Sequence, residues 1–488
     1  MDFLDWGGLS LYFIVLVIIG VWSYKRVKGS KDFFVAGGKV PWWLSGISHH
    51  ATGYSATVFV AYAGIAYSEG FTIYVWWALT ITIGMVVGAY LIAPRWVRLR
   101  QKLGIESPTE YLSTRYNVPT QQLIAWSGVL LKLFELGAKW AAIGILLNVF
   151  TGVPISYGIL LSGVISLIYI TIGGLWADLW TDLTQLIVQV AAVLVMAFII
   201  LNHLGGIGAV TGIWDQLPEA NSQPFREPYT FWYFLAFLIV NFLSYNGGTW
   251  SLANRFISTP SVKSARRSAL LSGGLMLTLP LFIFFPMWAA PIILPDLDDP
   301  TQSYALMAQE LLPVGMVGLV LAGLFSATMS STSSDVNTIS AVITRDILPR
   351  IWDRFKGLDQ RSSLKVGRVT TFIFTSLTLL IGIQAENFGG VLGLTVQWFG
   401  ALVGPVSVPL LFGLLPIFRN SGPHAAFISI AAGFLTFIAT KFFIPVALSV
   451  EVGAPVVISA LVFAIIGFSN RTQKVRREVD EMLQAVNK

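Results

Sequence analysis

Trp43-Leu44-Ser45-Gly46-Ile47-Ser48-His49-His50-Ala51-Thr52-Gly53-Tyr54-Ser55-Ala56-Thr57 opens an apolar span, yet glycine, hydroxyl side chains and two histidines crowd its middle. Five spans later, Asn241-Phe242-Leu243-Ser244-Tyr245-Asn246-Gly247-Gly248-Thr249-Trp250-Ser251 repeats the pattern of a polar, glycine-broken crossing. A helix broken inside a membrane releases carbonyls that can hold a cation and N–H groups that can hold an anion. Interrupted helices at matching positions of two halves are the best sequence pointer to the central site of a transporter. Small residues that only permit close helix packing are the alternative reading. The pairing, with one repeat starting near 43 and the next near 230, favours binding.

Working outward, the 488 residues are 55% hydrophobic, with a mean hydropathy of +0.72 and 11% charged residues. A soluble domain carries about a quarter charged residues, so one water-soluble core is excluded. Apolar segments, each long enough for the ~20 residues a bilayer demands, lie at 6–24, 43–66, 72–94, 121–149, 154–173, 179–203, 230–252, 267–293, 313–342, 366–385, 389–416, 423–444 and 446–468. They lack period-2 alternation, so they read as helices and not as barrel strands. The expectation is an all-α membrane protein of about thirteen transmembrane helices. The net charge of +6 would ordinarily suggest nucleic acid. Here the basic residues fall in alternate loops, Lys25–Lys39, Arg95–Lys102, Arg255–Arg267, Arg345–Arg368 and Arg471–Lys488, while the loops near 203–229 and 294–312 are acidic. That alternation sets orientation instead: N-terminus outside, C-terminus cytoplasmic, in a plasma membrane. The compact size and short termini point to a bacterial inner membrane. Met1-Asp2-Phe3-Leu4-Asp5 has no positive n-region, so the first apolar run reads as a helix and not as a cleaved signal. The tail after Ser469 reads as a short amphipathic helix whose charges solvate it. The absence of cysteine excludes disulfides and thiolate chemistry.

One span contains Ala327-Thr328-Met329-Ser330-Ser331-Thr332-Ser333-Ser334-Asp335. Ala327, Ser330, Ser331 and Ser334 share an arc of about 100°, a row of hard oxygen ligands that suits Na⁺. Back-bonding of serines to the preceding turn is the bland account, and four serines within five residues make it the weaker one. Asp178 and Asp182 share a helix face, although Asp178 reads equally as an interfacial residue. Glu135 and Lys139, one turn apart in an apolar span, read as functional or as a pair that keeps the helix neutral. His49 and His50 read as titrating or as structural groups. No phosphate loop, metal-ligand set or partnered nucleophile supports an enzyme.

These motifs resemble the sodium/solute symporter family, whose fold, like that of LeuT-type transporters, has a core of two inverted five-helix repeats with broken helices. Asp32-Phe33-Phe34-Val35-Ala36-Gly37-Gly38-Lys39-Val40-Pro41-Trp42-Trp43 is similar to the loop before its first core helix, and Ser107-Pro108-Thr109-Glu110-Tyr111-Leu112-Ser113-Thr114-Arg115-Tyr116 to the stretch before its third. Gly173-Gly174-Leu175 with Thr181-Asp182-Leu183-Thr184-Gln185 resembles the signature around the fifth, and Ser330–Ser334 the eighth. The resemblance implies an extra N-terminal helix at 1–28, a first repeat at 40–205, a second at 228–418, two C-terminal helices at 419–470 and a tail at 471–488. It implies a main sodium site from the carbonyls of Ala51, Tyr54 and Ala327 with the hydroxyls of Ser330 and Ser331. A second sodium would take Asp182, Ser333 and Ser334, so one or two Na⁺ act as coupling ions. The solute pocket would be lined by Ser55, Trp77, Glu135, Trp250 and Gln397.

Gln397 and Trp76 resemble positions of sugar-transporting members. Against this, Val75 and Trp77 stand where those members have an acidic and an amide residue, and their lysine near Leu277 is missing. A sugar or polyol therefore leads, ahead of an amino-acid-like or cationic solute with a free Glu135 as counter-charge, and ahead of a carboxylate. The partners expected are a small solute, sodium and the lipid bilayer, with no nucleic acid, in a monomer or weak homo-oligomer. A proton-coupled carrier of the same fold is the near alternative; a passive channel or a membrane sensor is more remote.

Overall fold

The computed structural model describes residues 1–388, 391, 403–472 and 474–487. The described residues form helices joined by short turns, with a single isolated bridge between Arg226 and Tyr229 and no named strand. The expected all-helical class is thus observed. Eight helices among the described residues are long and apolar enough to cross a membrane. The expected thirteen segments include two that are broken, two, 154–173 and 179–203, that join in one long helix, one that carries several charges, and one, 389–416, of which 389–390 and 392–402 lie outside the described residues.

The long elements in chain order are α1 (Phe3–Tyr24), α2 (Trp42–Thr52), α3 (Ala63–Glu69), α4 (Thr80–Leu91), α5 (Ala93–Leu103), α6 (Val118–Thr151) and α7 (Ile155–His203). Then follow α8 (Phe231–Leu243), α9 (Ser251–Ile257), α10 (Val262–Ile293), α11 (Met316–Val342), α12 (Gln360–Ile383), α13 (Gly404–Phe412), α14 (Pro423–Ile438), α15 (Leu448–Ser469) and α16 (Arg477–Asn487). Their starts follow capping chemistry: the side chains of Asn117, Thr230 and Ser261 accept from the backbone N–H three residues on, which satisfies one of the four donors a helix start leaves open. The 49 residues of α7 hold a sharp kink at Gly174, where φ is 53° and ψ −147°, a conformation open to glycine almost alone. A Cβ there would also lie 2.6 Å from the Phe33 carbonyl.

The serine-rich α11 occupies the centre. In its most apolar window, 83% of residues are buried, against 28% for α1. Its hydroxyls therefore face protein and not lipid. It packs along α7 and also against α1, α2, α6 and α12.

The tail departs from expectation. Val479, Met482, Leu483 and Val486 on α16 are buried, and the helix packs on α5. Arg95 donates to Asn487 at 2.8 Å and Arg98 to the Val486 carbonyl at 3.1 Å, while Arg476 donates to the carbonyls of Thr114 and Tyr116. Its basic residues do more than solvate it: the amphipathic face needs an apolar partner, and α5 supplies one.

Candidate sodium and solute sites

The second span breaks where its composition says it should. α2 ends at Thr52, and residues 53–56 run without regular helix before a π turn at Val58–Tyr62 leads into α3. The second break is tighter. A π turn at Ser244–Gly248 follows α8, Gly247 has φ 121° and Trp250 has φ 63°, and α9 starts at Ser251. The last carbonyls of a helix have no partner within it, so Ala51 offers its carbonyl at the end of α2 and Tyr54 lies in the break itself.

Two hydrogen bonds clamp the first break to α11. Thr52 Oγ1 and Ser334 Oγ are 2.9 Å apart, and the Ala56 N–H donates to Thr328 Oγ1 at 3.0 Å. Ser330 and Ser331 lie between these anchors, with Ala327 just before. Ser330 Oγ donates to Asp182 Oδ1 at 2.6 Å, and Ser331 Oγ donates to the Thr328 carbonyl at 3.1 Å. A hydroxyl has one donor and two lone pairs. Both serines use the proton on the protein, which leaves oxygen lone pairs for a cation. Back-bonding of Ser331 and ion binding are therefore compatible.

One turn along α11, a charged network lies fully buried. Arg255, from α9, donates through Nε to Ser48 Oγ at 2.7 Å and through Nη2 to Asp178 Oδ2 at 2.6 Å, Asp182 Oδ2 at 3.2 Å and Thr52 Oγ1 at 3.0 Å, as well as to Ser334. Ser333 donates to Asp178, Ser334 donates to Asp178 at 2.8 Å, and Ser48 donates to Asp182. Asp178, Asp182 and Arg255 are each 0% exposed. With both carboxylates ionised against one guanidinium, the network would carry one net negative charge, which would favour a monovalent cation beside Asp182. Arg255 belongs to the short helix after the second break and Ser48 to the helix before the first, so the network ties both broken helices to α7 and α11.

Beside the break is a small cavity of about 80 Å³. Tyr54, Tyr62, Trp77 and Tyr245 give it aromatic walls, and Ser55, Thr57, Ser244, Thr249 and Ser251 give it hydroxyls. Its remaining polar wall is ionic. Lys132, Glu135 and Lys139 are on one face of α6, and Asp335 reaches them from α11. The ammonium of Lys132 lies 2.5 Å from Glu135 and 2.8 Å from Asp335; that of Lys139 lies 2.9 Å from Glu135 and 2.7 Å from Asp335. The four groups close a ring of alternating charge. Lys132 and Asp335 form its buried side at 2% exposure, and Glu135 and Lys139 its more open side at 13% and 12%.

The family model of the "Sodium:solute symporter family" matches residues 33–431. The chain belongs to the sodium:solute symporter family. Members are sodium-coupled membrane transporters and not enzymes. Among its relatives, a sodium/sialic acid symporter of Proteus mirabilis is 26% identical over 90% of each chain. A sodium/glucose cotransporter of Vibrio parahaemolyticus is 26% identical over 84% of this chain and 80% of its own. Among solved structures, a substrate-bound, outward-open Na⁺-coupled sialic acid symporter superposes with a TM-score of 0.84 at 22% identity, covering 96% of both chains. The nucleobase-cation-symport transporter Mhp1 in a closed conformation gives 0.63 at 15% identity, over 93% of this chain and 98% of its own. At these identities the likeness concerns the fold.

Within this symporter family member, the sequence-expected residues fare unequally. The break at Ala51 and Tyr54 is held to α11 on either side of Ser330 and Ser331, and Asp182, Ser333 and Ser334 meet in one network. Ser55, Trp77 and Glu135 line the cavity. Glu135 is not a free counter-charge for a cation, because both its oxygens face lysines. Trp250 is 1% exposed and is not among the cavity-lining side chains; its ring lies so close to Gly128 that a Cβ there would sit 1.8 Å away. Gln397 lies outside the described residues. His49 has a structural place, with ring nitrogens 2.8 Å from Ser272 Oγ and 3.0 Å from the Tyr245 carbonyl.

Sequence reasoning missed Lys132 and Arg255. Arg255 was grouped with the basic loop that follows it, but it is fully buried. The signal was its position four residues after Ser251, before the chain leaves the broken span. Lys132 offered a signal too: it stands three residues before Glu135, on the same helical face as Lys139.

Proposed function

We propose that this chain is a Na⁺-coupled symporter that carries a small polar, sugar-like solute across the membrane by alternating access. The full architecture would be thirteen transmembrane helices, with inverted five-helix repeats at 40–205 and 228–418, the N-terminus outside and the C-terminus in the cytoplasm of a bacterial cell. The reading is carried by one observation: the broken second span is fastened to α11 on either side of two serines whose hydroxyl lone pairs remain available. Na⁺ would bind the carbonyls of Ala51, Tyr54 and Ala327 with Ser330 and Ser331. A second ion would sit beside Asp182, Ser333 and Ser334, where two carboxylates share the single guanidinium of Arg255.

Sodium at the main site bridges α2 to α11 and so favours the state in which the cavity receives solute. Solute and ion together favour the opposite opening. The coupling is the difference in affinity between the two states, driven by the ion gradient and the membrane potential. The relatives named for sialic acid and glucose support a sugar-class solute, as do the aromatic walls and the hydroxyls of the cavity.

The test is the melting midpoint of the detergent-purified protein at constant ionic strength, with Na⁺ exchanged for K⁺. A ligand that binds only the folded state adds RT ln(1 + [L]/Kd), about 2.7 kcal/mol at a hundredfold excess over Kd. A sodium-specific gain that Ser331→Ala abolishes is expected. Equal midpoints in the two salts over a wide concentration range would refute sodium binding and transfer the coupling to protons, with Asp182 as the carrier.

A further inference from the structure

We propose that the ring of Lys132, Glu135, Lys139 and Asp335 is the polar handle for the solute, and that it selects an uncharged vicinal diol over any charged head group. The proposal rests on the symport reading of the same cavity and narrows the solute class.

The four ion pairs lie between 2.5 and 2.9 Å, and charge alternates around the ring, so it is electrically neutral as it stands. All four residues line the cavity. An ammonium has three N–H donors and a carboxylate about four acceptor positions. Lys139 uses two donors on Glu135 and Asp335, and each Glu135 oxygen is ion-paired with one lysine. The open side of the ring therefore presents an N–H donor beside carboxylate lone pairs. Two neighbouring hydroxyls of a solute match this pair, one donating to Glu135 and the other accepting from Lys139. They add hydrogen bonds to charged groups, the stronger kind, without opening the ring or changing its charge.

A carboxylate solute has no such option. It must draw Lys139 away from Glu135, which leaves three negative groups facing two lysines. An ammonium solute creates the mirror imbalance by competing for Glu135. In a site removed from water, a charge left without its partner is costly, so both charged classes are disfavoured by the same ring. The rest of the wall agrees with a hydroxylated ring compound. Tyr62 and Trp77, with ring centroids 5.5 Å apart, offer apolar faces for C–H groups, and Ser55 and Thr249 offer hydroxyls to the remaining oxygens.

The test uses wild-type protein. Melting midpoints are measured in Na⁺ buffer and in K⁺ buffer with glucose, myo-inositol and sorbitol as the neutral set, and with glucuronate, sialic acid, glucosamine and proline as the charged set. A shift is expected in Na⁺ with at least one neutral compound, and an apparent affinity at least tenfold weaker for every charged one. Lys139→Met and Glu135→Gln, each of which unbalances the ring, should lower the affinity for the neutral compound at least tenfold and keep the stabilisation by sodium alone. A response confined to the charged set, or none from the neutral set, overturns the proposal. A neutral-set response of equal size in K⁺ supports the selectivity of the ring and overturns sodium coupling instead, so the two readings fail separately.

Discussion

Replacing Arg255 with methionine removes the only cation within contact of Asp178 and Asp182 among the described residues. All three groups are fully buried, so the two carboxylates would face each other without a counter-charge. Breaking a buried pair by removing one partner costs about 3–5 kcal/mol. At roughly 2 °C per kcal/mol, the value for large domains, the melting midpoint should fall by about 6–10 °C. The geometry also apportions the loss. Nη2 lies 2.6 Å from Asp178 and 3.2 Å from Asp182, so Asp178 holds the closer pair. Asp178→Asn in the Arg255→Met background removes the carboxylate that lost the closer pair and should recover at least a third of the lost midpoint, whereas Asp178→Asn alone should destabilise. This sign reversal is the signature of coupling between neighbours. The assay is a thermal scan of the purified wild type, both single variants and the double variant, at one scan rate because membrane proteins unfold irreversibly. A double variant no more stable than Arg255→Met would refute the ion-pair account of this network.

Gly128→Ala places a methyl 1.8 Å from the Trp250 ring, which is buried and held at a left-handed φ. The neighbour cannot yield without moving the second break, so a loss of at least ~3 kcal/mol is expected, at the upper end of overpacking costs, together with a shift in Trp250 fluorescence; unchanged stability and emission would refute the packing. Leu483→Asp puts a charge into the apolar face that α16 lays on α5. Docking gains about 1.5–3 kcal/mol for each large apolar side chain buried, so the variant should release the helix and raise hydrogen exchange in 477–487 by at least tenfold; unchanged protection would mean that the face is not what holds it.

Much of the architecture was legible in the sequence because membranes impose few solutions. The length and apolarity of each run, and the need to satisfy backbone groups without water, already required helices. Glycine and hydroxyl clusters near 53 and 247 gave away both breaks, since helix propensity fails there for local reasons. The serine row of Ser330, Ser331, Ser333 and Ser334 was equally local, a matter of 3.6-residue periodicity on one helix. What the sequence could not supply was partnership between distant residues. Arg255 looks like the start of a basic loop until α9 carries it between α2, α7 and α11. Glu135 looks free until Lys132 and Asp335 close a ring around it. Both corrections have one cause. A buried charge is tolerable only beside its opposite, and which opposite lies within 3 Å is decided by how helices separated by 77 to 203 positions pack. Periodicity along the chain determined the elements and their faces, while packing across the bundle decided which charges remain available to an ion or a solute.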